Sequence, residues 1–393
     1  MKIKDYFFSF LICYFFFQIF EFLFSYAFEP LVNFVGDTIF NIDYTFTKDG
    51  YGSGDNTFSY LETFCMLCTS ILLAFPIAYF IKKKEIGNTV KHYFIVLLRV
   101  YLAFYMLVYG LSKILPMQFP PLTLHRLSES YGESSPMGLA WTFMQYSPYY
   151  TAFTGFAEVL GGLLLLNRKT ITLGTIILTG VLANVVMMNF CYDIPVKLFS
   201  AHMLIACLIL LSTDGKRIYD FFILNKTTEP KQFHPISTNT KKAKTFSIVT
   251  ISLKVVFVIG ISLLFGFQYY EMAGSDNKVP SIYGIYEVIP SKESTKTYKT
   301  FIFDKYDMAT IRFSDENKIS YNSSIDKTKK IISLKPWDKT KHKEEQFTYT
   351  EMKNTLLLHT KDSVKIYLKK KSKEDLLLIN RGFHWINERP FNR

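Results

Sequence analysis

The placement of long apolar runs constrains the fold of this chain more than any other feature. Residues 1–268 contain several apolar stretches close to 20 residues long, whereas residues 276–393 contain almost none. A helix needs about 20 apolar residues to cross the roughly 30 Å hydrocarbon layer of a bilayer. Backbone amides in that layer find no water, so each crossing segment must be helical. The sequence therefore predicts a helical membrane domain followed by a water-soluble domain.

Seven segments have the length and apolarity of membrane-spanning helices. They lie at residues 6–27, 58–81, 93–115, 148–166, 169–190, 196–212 and 245–268. The first segment is open to a second interpretation, because Lys2 and Lys4 precede it and small residues flank Tyr26 near its end. Such a pattern is also typical of a cleaved signal peptide, which would leave six spans.

Charges in the connecting loops predict the orientation. The loops 82–92 and 213–244 and the turn at Arg168 are rich in Lys and Arg, and all three fall on one side of a seven-span arrangement. The opposite loop 28–57 has five acidic residues and one basic residue. Because basic loops stay in the cytoplasm, we expect a cytoplasmic N-terminus and an extracytoplasmic C-terminal domain.

Spans three to six are expected to form a compact four-helix group, since only a short turn joins spans four and five. Glycines in both of these spans permit close backbone approach. The predicted organisation has four parts: N-terminal transmembrane helices with an outer loop at 1–92, a four-helix membrane domain at 93–226, a cytoplasmic linker with the last transmembrane helix at 227–270, and an extracytoplasmic β domain at 271–393.

The C-terminal region has the pattern of an antiparallel β domain of about eight short strands. Predicted strands lie at 281–289, 300–303, 310–313, 346–350, 355–358, 364–368 and 376–379. Short strands at near-regular spacing predict a barrel or a sandwich, and a small lipocalin-like meander barrel is the favoured form. The closing segment, residues 381–393, is expected to close this domain or dock it, with ligand binding as the functional alternative.

The net charge of +12 does not indicate a nucleic-acid partner. Residues 276–393 hold 24 Lys and Arg against 16 Asp and Glu, and these charges are scattered along the predicted strands. A solvated surface is the first interpretation, and a surface facing anionic lipid or polysaccharide is the alternative.

Spans three to six contain several polar side chains whose insertion into the hydrocarbon layer costs free energy. They are Lys113, Glu158, Asn184, Asn189, Asp193, Lys197 and His202. At 1.5 Å per helical residue, all of them fall in the outer half of the helical group, which predicts one polar pocket that opens outward. Ionisable side chains within a membrane usually face a cavity or a partner. For Glu158 and His202, a structural ion pair and a catalytic role are both open.

The other members have structural interpretations. Lys113 and Lys197 could extend their ammonium groups to the interface, and Asp193 could cap the sixth span or fix the turn before it. Asn184 could link two helices by hydrogen bonding. The long outer loop that carries His125 could cover the predicted pocket or form ordinary surface.

A C-x-x-C pair, Cys65 and Cys68, lies on span two. Such a pair can cycle between dithiol and disulfide, but a reactive thiol needs a positive neighbour or a helix N-terminus. Apolar residues and Glu62 surround the pair in sequence, which favours structural cysteines over a redox pair. The seven His are dispersed and no metal motif occurs, so no metal site is predicted.

Several sequence stretches together resemble the DoxX family of bacterial membrane proteins. They are YGLSK at 109–113, GFAEVLGGLLLLNRKT at 155–170, NVVMMNFCYDIPVKLFSAHMLI at 184–205 and DGKRIYDFFILN at 214–225. The resemblance covers about 93–226. The extra N-terminal spans and the tail that ends in RGFHWINERPFNR are similar to those of a long bacterial subgroup.

The resemblance implies a four-helix membrane bundle in the bacterial inner membrane. The DoxX family is named after a subunit of a thiosulfate:quinone oxidoreductase, so quinone is a candidate cofactor, and the sequence leaves the cofactor open. The family-like polar positions in this chain are Lys113, Glu158, Asn189, Asp193, Lys197 and His202.

Three functions follow as hypotheses, and whether the chain is an enzyme is left open. The first is a redox-associated, quinone-interacting membrane subunit. The second is a non-enzymatic protein that binds or transports lipid or a small apolar molecule, with the outer domain receiving the ligand. The third is a scaffold for an envelope protein complex.

Overall fold

The computed structural model describes residues 3–42, 54–229, 240–276, 279–290, 297–338, 340, 342–362, 364–372 and 375–392. Backbone contacts divide the chain into two compact units. The helical unit comprises residues 1–119 and 147–266, and the barrel unit comprises residues 120–146 and 267–393. The four-helix domain predicted at 93–226 includes residues 120–146, which the structure groups with the barrel.

The N-terminal helices of the helical unit are α1 (Ile3–Ile19), α2 (Glu21–Phe34) and α3 (Thr57–Ile81), with a π-helical turn at Val35–Ile39 after α2. The chain bends by 100° between α1 and α2. The predicted span 6–27 therefore contains a bend that the sequence did not indicate. Glu21 lies in the first turn of α2, where a carboxylate complements the helix dipole and so favours a new helix start.

Four long helices follow the predicted spans closely. They are α4 (Lys84–Ile114), α7 (Pro148–Leu166), α8 (Ile171–Cys191) and α9 (Lys197–Ser212). Ser147 caps α7 by accepting a hydrogen bond from the Tyr150 amide at 3.3 Å, and Pro148 occupies the first turn, where its missing amide hydrogen costs nothing. Their apolar faces share one core with Tyr14 and Phe15 of α1.

The helical unit continues with α10 (Gly215–Phe222), and the long helix α11 (Thr240–Asp276) begins in it. Among the described residues, five helices are long and apolar enough to cross a membrane, or seven if the bent pairs α1–α2 and α9–α10 each count once. This confirms a helical N-terminal part with several long apolar helices, as the sequence predicts.

The C-terminal domain is a closed barrel of eight antiparallel strands in sequential order. The strands are β1 (Gly284–Val288), β2 (Tyr298–Phe303), β3 (Met308–Phe313), β4 (Lys318–Asp326), β5 (Ile331–Pro336), β6 (Glu345–Glu351), β7 (Thr355–His359) and β8 (Lys365–Lys371). Pairing of β1 with β8 closes the barrel, which confirms the predicted meander form.

Side chains fill the barrel. Phe301, Phe303, Tyr321 and Phe347 are all at most 2% exposed and belong to one core cluster. Eight strands enclose an interior that is only just wide enough for side chains. The barrel therefore has a solid aromatic core, unlike the hollow interior that a ligand-carrying barrel needs.

One predicted strand is wrong, and two observed strands were missed. Residues 376–379 overlap α12 (Leu377–Asn380), and Leu376 packs against a small cluster with Ile285 and Ile302. A short apolar run cannot be assigned to helix or strand by periodicity alone. The missed strands β4 and β5 alternate between buried and more exposed positions, but β4 is too polar to stand out in the sequence.

The predicted outer loop is structured and belongs to the barrel unit. It forms α5 (Leu124–Ser128), a 3-10 turn at Tyr131–Glu133 and α6 (Pro136–Tyr146). The His125 amide donates to Asp304 Oδ2 at 2.8 Å, and its Nδ1 lies 3.0 Å from Thr310 Oγ1. Lys318 and Glu129 add an ion pair of 2.8 Å, so this segment packs on the outside of the barrel.

Candidate functional site

A buried ion pair joins α4 and α7 in the helical unit. Lys113 lies in the last turn of α4 and Glu158 near the middle of α7, and they are 8% and 2% exposed. Lys113 Nζ donates to Glu158 Oε1. Glu158 Oε2 is buried and has no hydrogen-bond partner among the described residues. The pair therefore presents one acceptor that the described residues leave without a hydrogen bond.

Two glycines bring this pair together. A Cβ atom at Gly155 would lie 2.5 Å from the carbonyl oxygen of Gly110, and one at Gly110 would lie 2.7 Å from that of Gly155. Only glycine permits this approach of α4 and α7. Lys113 and Glu158 each follow one of these glycines by three residues, so they project from the same faces that the glycines bring into contact.

A second polar contact joins α9 to α1. His202 Nδ1 lies 2.7 Å from the Leu198 carbonyl, which can only accept, so Nδ1 carries the proton of this bond. In the neutral imidazole Nε2 then accepts from the Tyr14 hydroxyl at 2.5 Å. Both side chains are buried. Tyr14 was not among the predicted site residues, because 188 positions separate it from His202 and no local pattern connects them.

A third group lies at the start of α9. Asp55 Oδ2 and Oδ1 accept from the backbone amides of Lys197 and Leu198 at 2.7 and 3.0 Å, which caps the helix. Lys197 Nζ pairs with Asp193 at 2.8 Å and lies 3.8 Å from Asp55. Asn189 donates to Ser200 Oγ at 2.9 Å. These contacts fix the turn between α8 and α9, and they satisfy the polar groups that they use.

Asn184 does not join any of these groups. Its side chain is exposed on α8, away from the buried face of that helix. Of the seven predicted pocket residues, the structure pairs Lys113 with Glu158, places Lys197, Asp193 and Asn189 around one turn, and binds His202 to Tyr14. The predicted pocket residues other than Asn184 thus fall into three hydrogen-bonded groups.

Aromatic side chains line the space between α4 and α9. Tyr105 and Tyr109 are one helical turn apart on α4, and their rings lie 4.9 and 5.9 Å from the ring of Phe199. Tyr101 extends the stripe, with its ring 5.0 Å from that of Tyr105. This stripe runs along α4 toward Lys113, so the neighbourhood of the buried pair includes flat, polarisable surfaces with hydroxyl groups.

The two cysteines of the C-x-x-C pair lie on α3 with free thiols. Cys65 is buried in a cluster with Leu61 and Met66, and Cys68 is partly exposed. Among the described residues, no Lys or Arg side chain is paired with either thiol. Glu62 is buried about one helical turn before Cys65. Among the described residues, no three His, Cys, Asp or Glu side chains are arranged to hold a metal ion.

Comparison with known proteins identifies a relative. The chain is 38% identical to the uncharacterized protein YwoB of Bacillus subtilis (strain 168) over 124 residues, which cover 32% of this chain and 79% of YwoB. This chain belongs to the YwoB family. The match to YwoB shows the family of this chain and gives no activity. No family model matches the chain, and no solved structure matches it either.

Proposed function

We propose that this YwoB-family chain is a DoxX-like integral membrane protein that binds the head group of a quinone, or of a similarly small apolar ligand, at Lys113 and Glu158. Its role would be that of a quinone-interacting subunit of a redox-associated membrane complex. The observation that carries the proposal is the buried carboxylate oxygen of Glu158, which lacks a partner among the described residues.

The energetics support a ligand at this position. A charged side chain in the hydrocarbon region costs about 2.5–3.5 kcal/mol on insertion scales, and an unsatisfied buried acceptor costs about 1–3 kcal/mol more. If the ion pair were purely structural, we would expect both oxygens of the Glu158 carboxylate to accept hydrogen bonds from the protein. A quinol hydroxyl that donates to Glu158 Oε2 would remove the second cost, and the Lys113 ammonium has further protons to donate to a quinone carbonyl.

The loop charges support a cytoplasmic N-terminus and an extracytoplasmic barrel. In that orientation the basic residues at the start of α4 lie on the cytoplasmic side. Lys113, in the last turn of the same helix, then lies in the outer half of the membrane. A quinone diffusing in the bilayer would reach this depth without entering water.

A second candidate is a binding or transport protein that performs no electron transfer. The apolar setting of Cys65 favours it, because the described residues that cluster with this cysteine are apolar, and a thiol needs a positive neighbour to become reactive. Such a protein would use the same polar pair to hold the ligand, while redox chemistry would be left to a partner or would not occur.

The test is quinone binding by the full-length protein in lipid nanodiscs. Menadione and decylubiquinone serve as probes, with the dissociation constant measured by quenching of tyrosine emission. We expect Glu158→Gln to weaken binding about 10- to 100-fold, because a hydrogen bond to a charged group contributes about 1.5–3 kcal/mol. Asn184→Ala is the matched control, since it removes an intramembrane polar group that lies outside the pair.

Loss of binding must be separated from loss of folding. The double variant Lys113→Met, Glu158→Leu removes both charges together and should remain folded without binding either quinone. If the double variant binds both quinones with the affinity of the unmodified protein, the proposed site is wrong. If binding persists but Cys65→Ser, Cys68→Ser abolishes quinone reduction, the thiols carry the redox function.

A further inference from the structure

A groove in the helical unit lies between α11 and the turn that joins α7 to α8. One hollow of about 480 Å³ is bordered by Asn167, Arg168 and Lys254. An adjoining hollow of about 280 Å³ is bordered by Arg99, Arg168 and Lys254. The two share Leu166, Arg168, Thr250 and Lys254, and thus form one continuous groove.

Three cations, Arg99, Arg168 and Lys254, meet in this groove. Arg168 lies close enough to Arg99 and to Lys254 for like charges to repel, and Arg99 and Lys254 also repel each other. Among the described residues, no carboxylate pairs with any of the three. Such a concentration of positive charge beside apolar side chains is stable only when an anion or water compensates it.

The protein holds one of these cations rigidly. Arg99 is buried, and its Nε and Nη2 atoms donate to the Leu165 carbonyl at 2.9 and 2.7 Å. That carbonyl belongs to the last turn of α7, where backbone acceptors have no helical partner. The contact orients the guanidinium, whose Nη1 atom is left to bind something else.

The rest of the groove suits a lipid. Leu163, Ile251 and Val255 supply apolar walls beside the cations, and Thr250 adds a hydroxyl. None of the residues in the hydrophobic window of α11 is buried, so the described side chains leave much of the surface of this helix uncovered. The turn at Arg168 also lies on the face that loop charges predict to be cytoplasmic, where anionic lipids are common.

We propose that this groove binds an anionic phospholipid, with its phosphate held by Arg99, Arg168 and Lys254 and its acyl chains along α11. The lipid would fasten α11, which carries the chain to the barrel, to the other helices. Arg99 precedes Lys113 by 14 residues on α4, which is about 21 Å along the helix axis. The lipid site is therefore separate from the proposed quinone site.

Native mass spectrometry of the full-length protein tests the proposal. The protein is incubated with equal amounts of phosphatidylglycerol and phosphatidylcholine that carry the same acyl chains. We expect phosphatidylglycerol to be retained preferentially. The variant Arg168→Gln, Lys254→Gln should reduce that retention roughly tenfold or more, as expected for the loss of two charge-assisted contacts.

Matched variants separate a specific site from general attraction. Lys82→Gln, Lys216→Gln removes the same charge from the same predicted side and should keep the preference, whereas Lys254→Arg should keep it because the charge remains. Glu158→Gln should also keep it, which distinguishes the lipid site from the proposed quinone site.

Three results would overturn the proposal. The first is equal retention of the two lipids by the unmodified protein. The second is an equal loss of retention in Lys82→Gln, Lys216→Gln. The third is displacement of phosphatidylglycerol by excess inorganic phosphate, since a free anion would then be the ligand.

Discussion

The helical unit and the barrel unit place their polar and apolar residues in opposite ways. In the helical unit, Glu158, His202 and Arg99 are buried, while most of the large side chains of α11 are exposed and apolar. In the barrel, the core is aromatic and aliphatic, and lysines such as Lys365 and Lys369 lie outside. A protein whose surface is apolar and whose interior holds charge fits lipid as its surroundings, and the reverse arrangement fits water.

The two interiors also differ in the charge of the buried groups that lack a hydrogen bond among the described residues. The barrel core is closely filled by rings such as Phe301 and Phe347, whose centroids lie 5.8 Å apart. In the helical interior the charged Glu158 carboxylate has one oxygen without a hydrogen-bond partner among the described residues, whereas in the barrel core the atom without one is the neutral hydroxyl of Tyr349. This difference favours the proposed position of the ligand site in the helices. Substitutions in each unit test whether the two units depend on different forces.

The largest effect is expected from Lys113→Met, which leaves the Glu158 carboxylate buried without its cation. Breaking a buried pair from one side costs about 3–5 kcal/mol. The double variant Lys113→Met, Glu158→Leu should regain most of this stability. Thermal unfolding of the helical signal in circular dichroism measures both. A single variant as stable as the double would mean that water reaches the pair.

A loss of similar size is expected in the barrel from a purely apolar change. Phe301 is fully buried, and Phe301→Ala should cost about 3–5 kcal/mol through the cavity that it leaves. All three tryptophans, Trp141, Trp337 and Trp385, lie in the barrel unit, so their fluorescence reports on this unit alone. The exposed ring of Tyr367 provides the control, since Tyr367→Ala should change stability by less than about 0.5 kcal/mol.

An intermediate effect is expected at the contact of α4 and α7. Gly155→Ala forces a methyl group against the Gly110 carbonyl, and overpacking of this kind costs about 1–3 kcal/mol. Gly180→Ala meets no atom within 4 Å and should be neutral or stabilising by up to about 1 kcal/mol, because alanine favours helix. Equal melting temperatures for the two variants would show that α4 and α7 do not pack as described.

The smallest effect is a pH dependence of the barrel unit. Burial, and next the nearby Lys318, lowers the pKa of His125 below its usual 6.5. The unfolded chain therefore takes up this proton first, and the barrel unit should lose stability as pH falls below about 6.5. Tryptophan fluorescence during unfolding measures the slope, and His125→Gln should flatten it. An unchanged slope would assign the pH dependence to another group.

The sequence predicted the helices better than the contacts between them. The span 148–166 coincides with α7 because Pro148 and Asn167 bracket an apolar run of the right length. The bend between α1 and α2 was missed, since apolar residues continue on both sides of Phe20. Hydrophobicity alone marks that a segment is apolar and does not report where it turns.

The sequence predicted individual residues of the candidate site but not which of them contact each other. Lys113 and Glu158 stood out because charge is costly among apolar residues, but the sequence predicted one pocket that also included Asn184, whose side chain is exposed. Tyr14 and Asp55 were not predicted as site residues. Tyr14 binds His202, which is 188 residues away, and Asp55 binds Lys197, which is 142 residues away. Helix packing creates such contacts, and no local sequence pattern encodes them.

Photo-crosslinking with an azidoquinone tests the central claim most directly. The full-length protein in nanodiscs is irradiated with the probe, and the labelled peptides are mapped. The account predicts label on α4 and α7 beside Lys113 and Glu158, competed by decylubiquinone and absent from the Lys113→Met, Glu158→Leu variant. Label confined to the barrel, or undiminished in that variant, would contradict the assignment of the ligand site to the buried pair.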